Sequence, residues 1–278
     1  MSYYKIQTPK GTFRASIEET NDMYKVKYGG KKACVFFSVY KGGDEEYPNL
    51  DAIGADKRCN VDASLEDTAL LLKSSIQFLT WRFPKIQHIQ FLDASTKKCE
   101  YGIKVDLPTF HFAKYGKTWY EDKFGAKLLD RKNKKYFERA NIFLDQYHDK
   151  ESFDMFYKTN VMRFLHHFKR VKDSDVYDML KTCWEESNTY KEFFISVGSR
   201  DCILFQYWLK PYILSLWKRV IIETTYWKIS RKVIDLWDKN EIHISRSSTK
   251  PHYITGGGGP MFSMEDFIKK CPTSKECK

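Results

Sequence analysis

The chain has 278 residues, 42% of them hydrophobic and 16% aromatic. That is enough apolar material to bury a core, so most of the chain is expected to be globular rather than disordered. The 47 basic and 36 acidic residues leave a net charge of +11, which suits a polyanionic or acidic neighbour (nucleic acid, an acidic protein surface or a phosphate-bearing cofactor) or, more plainly, a solvated lysine-rich surface. Lysine outnumbers arginine 36 to 11, whereas a specific phosphate or base reader leans on the planar arginine fork.

Residues 1–60 read as β-rich. Strands are expected at Tyr3–Ile6, Thr12–Ile17, Tyr24–Tyr28 and, after the Gly29-Gly30 turn, Ala33–Tyr40. The continuous apolar run Cys34-Val-Phe-Phe suits a strand covered on both faces. Gly42–Pro48 reads as a loop and Leu50–Lys57 as a returning strand, which makes an antiparallel meander. Ser64, with Asp67 three residues on, starts a helix whose stripe is Leu65, Ala69, Leu72, Ile76 and Leu79; Pro84 stops it. A core-like strand follows at Ile86–Leu92, and Asp93-Ala-Ser opens a loop. Pro108–Tyr115 and Trp119–Phe124 read as helices, the second ended by Gly125, and Ala126–Leu129 as a return to the sheet.

From Arg131 the pattern turns helical: Tyr136–Tyr147, Ser152–Arg170, and a stripe of Val176, Met179, Leu180, Cys183 and Trp184. Ser199 is the expected cap of a long helix through Ile222, kinked or split at Pro211. Short elements follow at Thr224–Ile229 (strand), Val233–Trp237 (helix) and Glu241–Ile244 (strand). Gly256–Gly259 is a hinge before a small amphipathic end, Met264–Ile268. The most apolar segment, 202–222, is interrupted by Gln206, Lys210, Pro211 and Lys218, which disfavours a membrane span.

Seven scattered cysteines with no CxxC spacing, and an N-terminus without an apolar signal core, imply free thiols in a reducing, cytoplasmic setting. Cys271 and Cys277 are spaced to bridge the tail, though nothing requires it.

Antiparallel strands followed by helix, strand, helix and strand make an α/β or α+β class. The stretch Ser64–Ala126, with Arg58-Cys-Asn-Val61-Asp-Ala63 ahead of it and Gly116-Lys-Thr-Trp-Tyr-Glu-Asp-Lys-Phe-Gly-Ala126 at its end, resembles the GNAT N-acetyltransferase superfamily. It is similar to a group of uncharacterised acetyltransferase-like proteins of large eukaryotic DNA viruses. The resemblance implies a mixed, mostly antiparallel sheet flanked by helices, with acetyl-CoA entering beside a splayed strand. The pyrophosphate is then held by backbone N–H groups of Val61, Asp62, Ala63, Ser64 and Leu65 at a helix start, with Arg58 assisting. It also implies Tyr120 as the acid that protonates the leaving thiolate, and a carboxylate such as Asp93 to orient or deprotonate an amine.

Val61 and Asp62 depart from the family pattern, and Phe124-Gly125 reverses the family's Gly-Phe order after the tyrosine. Val61 stands where the family has glycine, and a β-branched residue blocks close backbone approach and disfavours positive φ. Asp62 puts a negative charge where pyrophosphate belongs. The balance points to a degenerate, non-catalytic scaffold that acts as an interaction or structural protein, one that a virion could package. An active acetyl-CoA-dependent N-acetyltransferase is the alternative, and a basic nucleic-acid-binding protein the second.

Other constellations carry less. Gly116-Lys117-Thr118 lacks the upstream glycine of a phosphate loop, since position 111 is His. The adjacent His166 and His167 point to different helix faces, so no metal site is expected. Cys99 with His111 matches no cysteine-hydrolase signature, and Asp93, Glu100 and Asp106 are as well explained as turn caps. The aromatic run Tyr207, Trp208, Tyr212, Trp217, Tyr226 and Trp227 is either core or a surface for a protein partner. The expected domains are an acetyltransferase-like unit over 1–130, a mainly helical addition over 131–244 packed on it, and a flexible tail over 245–278.

Overall fold

The computed structural model describes residues 1–42, 45–54, 57–60, 65–93, 96–98, 104–129, 131–162, 173–216, 226–237, 242–251 and 253. The chain forms two compact units: an α/β unit of Met1–Asp93, Tyr120–Leu129 and the chain from Tyr226, and a helical unit of Ala94–Trp119 and Asp130–Thr225. The units are therefore interleaved along the chain rather than consecutive with a break at residue 130. The reason lies in the sheet, which takes back Tyr226–Ser230 after the helices are complete.

In the α/β unit the strands are β1 (Ser2–Thr8), β2 (Gly11–Glu19), β3 (Met23–Gly29), β4 (Ala33–Gly42), β5 (Glu45–Ile53), β6 (His88–Leu92), β9 (Lys127–Leu128), β10 (Tyr226–Ser230) and β11 (His243–Ser247). They form one nine-stranded sheet in the order β11-β1-β2-β3-β4-β5-β6-β10-β9. Its paired neighbours are antiparallel except β5 and β6, which run parallel through Asn49↔Gln90 and Leu50↔Phe91. The connection between those two is α1 (Leu65–Arg82).

Alternation explains the first three strands, with buried Ser16 on the other face as the exception. Tyr4, Ile6, Phe13, Ala15, Ile17, Val26 and Tyr28 are buried, while Lys5, Gln7, Arg14, Lys25 and Lys27 between them are exposed. α1 covers the buried face: the Phe78 ring lies 5.2 Å from Tyr4 and 6.1 Å from Tyr28, and the Tyr28 hydroxyl donates to Ser74 Oγ at 2.9 Å. Each fully buried ring of this kind contributes about 2–3 kcal/mol of transfer free energy. The buried hydroxyls of Ser74, Ser75 and Thr80 bond back to carbonyls three residues earlier, so α1 hides them without loss.

Several expectations change here. Residues 45–48 are strand, not loop. Pro48 is tolerated because β6 takes up only Asn49 and Leu50, leaving the first half of β5 as an edge. β4 is not covered on both faces by packing: Val35, Phe37 and Val39 face the core, while Phe36 and Ser38 are half-buried. Cys34 is buried because it is bonded to Cys59, and Cys202 is also disulfide-bonded, which corrects the expectation of free thiols; Cys183 is free. Residues 245–247 belong to β11, paired with β1, rather than to a tail.

The helical unit holds the hairpin β7 (Thr96–Lys98) and β8 (Lys104–Asp106), then α2 (Leu107–Tyr115) and α4 (Arg131–Leu144); α3 (Trp119–Phe124) joins the two units in sequence. After them come α5 (Phe153–Phe156, continued as a wide turn Tyr157–Val161), α6 (Asp173–Glu185) and α7 (Tyr190–Arg200). Last is α8, made of Cys202–Leu204, a wide turn Phe205–Leu209 and Lys210–Leu216. Asp106 caps α2, accepting from Thr109 N at 3.5 Å, and Thr189 with Glu192 forms a reciprocal capping box on α7.

Ser199 lies inside α7 and caps nothing. The cap of α8 is Asp201, whose carboxylate accepts from the N–H groups of Ile203 and Leu204 at 2.8 and 2.9 Å. Pro211 does not split α8: the preceding turn widens so that Lys210 N–H reaches Phe205 O, absorbing the donor that Pro211 lacks. Phe156, Phe193 and Trp208 are fully buried in this unit, with Tyr212 nearly so. Of the aromatic run, Trp208, Tyr212 and Trp227 are core, Tyr207 and Tyr226 are exposed, and Trp217 lies outside the described residues. No helix among the described residues is long and apolar enough to cross a membrane.

Candidate functional site

β5, α1 and β6 build one parallel strand–helix–strand crossover in an otherwise antiparallel sheet. Beyond β6 the strand order jumps to β10. The carboxyl ends of parallel strands at such a break are where open α/β sheets hold ligands.

At the β6 end the structure brings together two residues that the sequence singled out. Asp93 follows Leu92 directly and is 2% exposed. Tyr120, in the first turn of α3, is 4% exposed. Its ring centroid lies 4.3 Å from that of Phe91 on β6 and 6.0 Å from that of Phe124. Burial, and then the charge of Asp93, push the Tyr120 phenol well above its ordinary pKa. Gly125 fixes the exit from α3: its φ is 62°, its N–H bonds Glu121 O at 3.1 Å, and the next N–H, of Ala126, bonds Tyr120 O at 3.2 Å.

At the β5 end the chain makes one 3-10 turn, Lys57–Cys59, and Arg58 in it is half-buried. Arg58 O accepts from Lys32 N at 3.0 Å, Gly54 N donates to Cys34 O at 2.7 Å, and Cys59 is bonded to Cys34. Asn60 takes a left-handed backbone, φ 60°, and its Nδ2 donates to Thr12 O at 2.6 Å. Gly30 makes room for it, since a Cβ there would lie 2.5 Å from Asn60 Cγ. Val61, Asp62, Ala63 and Ser64 lie outside the described residues; Leu65 opens α1, and its side chain is outside them too.

The sequence missed this anchoring of residues 57–60. One local signal was available, an Asn in a turn, the non-glycine type that most readily accepts positive φ. The pairing of Cys34 with Cys59 had none.

A general acid must reach the atom that it protonates. Tyr120 is packed against Phe91 and Phe124 with 4% of its surface exposed.

In the helical unit an open pocket of about 410 Å³ is lined by His148, Glu151, Asp154, Lys181, Glu185 and Ser187, among others. His148 lies 3.9 Å from the Trp184 ring, its Nε2 3.1 Å from Ser187 Oγ, and burial holds its pKa below the usual range. The Ser187 hydroxyl donates to the Cys183 and Trp184 carbonyls at 2.8 and 3.0 Å, closing the end of α6. The pair is therefore a joint between segments rather than a nucleophile and base. His111 Nδ1 sits 2.8 Å from Lys117 O, which fixes the turn after α2; Cys99 and His166-His167 lie outside the described residues. No cluster of metal-ligating side chains occurs among the described residues. No protein-family model, no curated protein and no solved structure matches this chain.

Proposed function

We propose that the α/β unit is an acetyltransferase-like scaffold used for binding rather than for catalysis. The observation that carries this reading is the enclosure of Tyr120 and Asp93 within the core at the end of β6. The acetyltransferase likeness draws support from the parallel β5–α1–β6 crossover, with α3 and β9 following it and Arg58 just ahead of α1. Val61 and Asp62, which replace the family's glycine-rich cradle, favour binding over catalysis.

Thermal denaturation with millimolar acetyl-CoA, together with mass spectrometry of peptide and polyamine acceptors, tests it. A ligand that binds only the folded state raises the melting temperature, by an amount that grows with concentration over Kd. The scaffold reading expects no acetylated product. Product formed by the wild type and lost in Tyr120→Phe overturns it. That outcome would favour an active N-acetyltransferase, for which a phenol held protonated at neutral pH is the favourable observation.

A further inference from the structure

One face of β1–β5 packs against α1; the opposite face carries exposed cationic side chains, with Ser16 at its centre buried where Tyr253 crosses it. Reading across the strands by register, one row runs Ser247, Tyr3, Ser16, Lys27, Phe36, Ala52. The next runs Ser245, Lys5, Arg14, Gly29, and a third begins His243, Gln7, Thr12. On the other side of the first row lie Glu18, Lys25, Ser38 and Asn49.

Lys5, Arg14, Lys25 and Lys27 are all exposed, and none forms an ion pair among the described residues. Among the residues whose side chains are described, the acids of this face are Glu18, which stands opposite Lys25, and Asp51, which is engaged by the Ser38 hydroxyl at 2.6 Å. Lys5 stands directly opposite Arg14. Like charges opposite each other across a sheet are destabilising, so the fold itself gains nothing from this placement.

Between the cations sit half-exposed aromatic rings. Phe36 is the direct partner of Lys27, and Tyr3 lies two strands from Lys27 in the same row. Tyr253 crosses the row between them, its hydroxyl donating toward the carbonyls of Arg14 and Lys27 at 3.1 and 3.4 Å.

We infer that this sheet face binds single-stranded nucleic acid. Strands about 4.8 Å apart and alternate residues about 6.6 Å apart give a flat lattice of charge and rings. Cations that track a phosphate backbone, interleaved with rings on which bases stack, are the elements of a single-strand platform. Three of the four cations are lysines, which neutralise phosphate as point charges and do not read base edges, so binding is expected to be independent of sequence. The inference does not depend on the acetyltransferase reading, since it uses none of the residues at the ends of β5 and β6.

The experiment is fluorescence anisotropy of a labelled oligothymidylate against the full chain at several salt concentrations. With about 0.7 counterions released per phosphate contact, four cations give a log–log slope of about −3. Lys5→Gln with Arg14→Gln is expected to flatten that slope by about 1.4, while Lys134→Gln with Lys135→Gln on α4 leaves it unchanged. Tyr3→Leu with Phe36→Leu, which keeps apolar bulk and removes the rings, is expected to weaken binding on the order of ten-fold at constant slope.

Far-ultraviolet circular dichroism establishes that each variant is folded before it is titrated. Absence of binding at low salt overturns the inference. So does an unchanged slope in the Lys5/Arg14 variant. Polyglutamate binding as tightly as the oligonucleotide would assign the face to an acidic protein instead.

Discussion

Cys34 on β4 and Cys59, in the turn after β5, are joined by a disulfide, with Cα atoms 5.9 Å apart and a sequence separation of 25. The bond holds the turn that carries Arg58 and Asn60 against β4, beside the backbone contacts Lys32 N–Arg58 O and Gly54 N–Cys34 O. Closing a loop of this length removes about 3 kcal/mol of chain entropy from the unfolded state. Reduction, or Cys34→Ser with Cys59→Ser, is therefore expected to lower stability by about 3 kcal/mol, read as a fall in the denaturation midpoint. An identical midpoint with and without reductant would show that the bond does not form in solution.

Tyr28 and Tyr120 set the alkaline limit of the α/β unit. Burial raises the Tyr28 phenol far above its usual pKa; burial and then the Asp93 charge do the same for Tyr120. In the unfolded chain both ionise near the ordinary tyrosine value of about 10. Above that pH the folded state holds more protons than the unfolded state, so stability falls as pH rises through about 10. The expected outcome is that part of the tyrosinate absorbance appears only with the unfolding transition. Tyr120→Phe should shift that transition to higher pH while leaving the near-neutral stability within about 1.5 kcal/mol of wild type. Smooth ionisation of every tyrosine in a still-folded protein would contradict this.

How far the sequence carried the fold depended on the range of the force involved. Strands β1–β4, α1, β6 and α3 were legible because alternation, a helical stripe and stop signals such as Pro84 and Gly125 act within a few residues. The return of Tyr226–Ser230 beside β6 was readable as a strand, but its partner was not, because pairing across the helical unit leaves no local trace. The same limit hid the Cys34–Cys59 bond, and it made Gly42–Pro48 look like a loop, since proline is excluded only from strands paired on both sides. Asp201 outcompeted Ser199 as a cap by one geometric fact: its carboxylate reaches the N–H groups of both Ile203 and Leu204. At the candidate site, Asp93 and Tyr120 were each visible as chemistry-bearing residues. Their enclosure was not, because burial depends on long-range packing, such as Phe91 and Phe124 against the Tyr120 ring.

The helical unit has its own buried charge pair. Lys210 Nζ lies 3.2 Å from Asp106 Oδ2, with the two side chains 13% and 1% exposed. Gln206 accepts from the Asp106 N–H at 3.0 Å, and Thr109 donates to the carboxylate, so β8, α2 and α8 meet at one polar joint. Burial raises the Asp106 pKa, and the Lys210 charge, followed by the Thr109 hydrogen bond, pulls against that rise. Removing one partner leaves a desolvated charge: Lys210→Met is expected to cost about 3 kcal/mol in chemical denaturation. Asp106→Leu alone removes the carboxylate 3.2 Å from Lys210 Nζ and uncaps α2, with a cost of similar size. The double variant Asp106→Leu with Lys210→Met removes both charges and should recover most of the loss, apart from about 1 kcal/mol for the missing cap. Strictly additive losses in the double variant would mean that the two side chains do not interact in the folded protein.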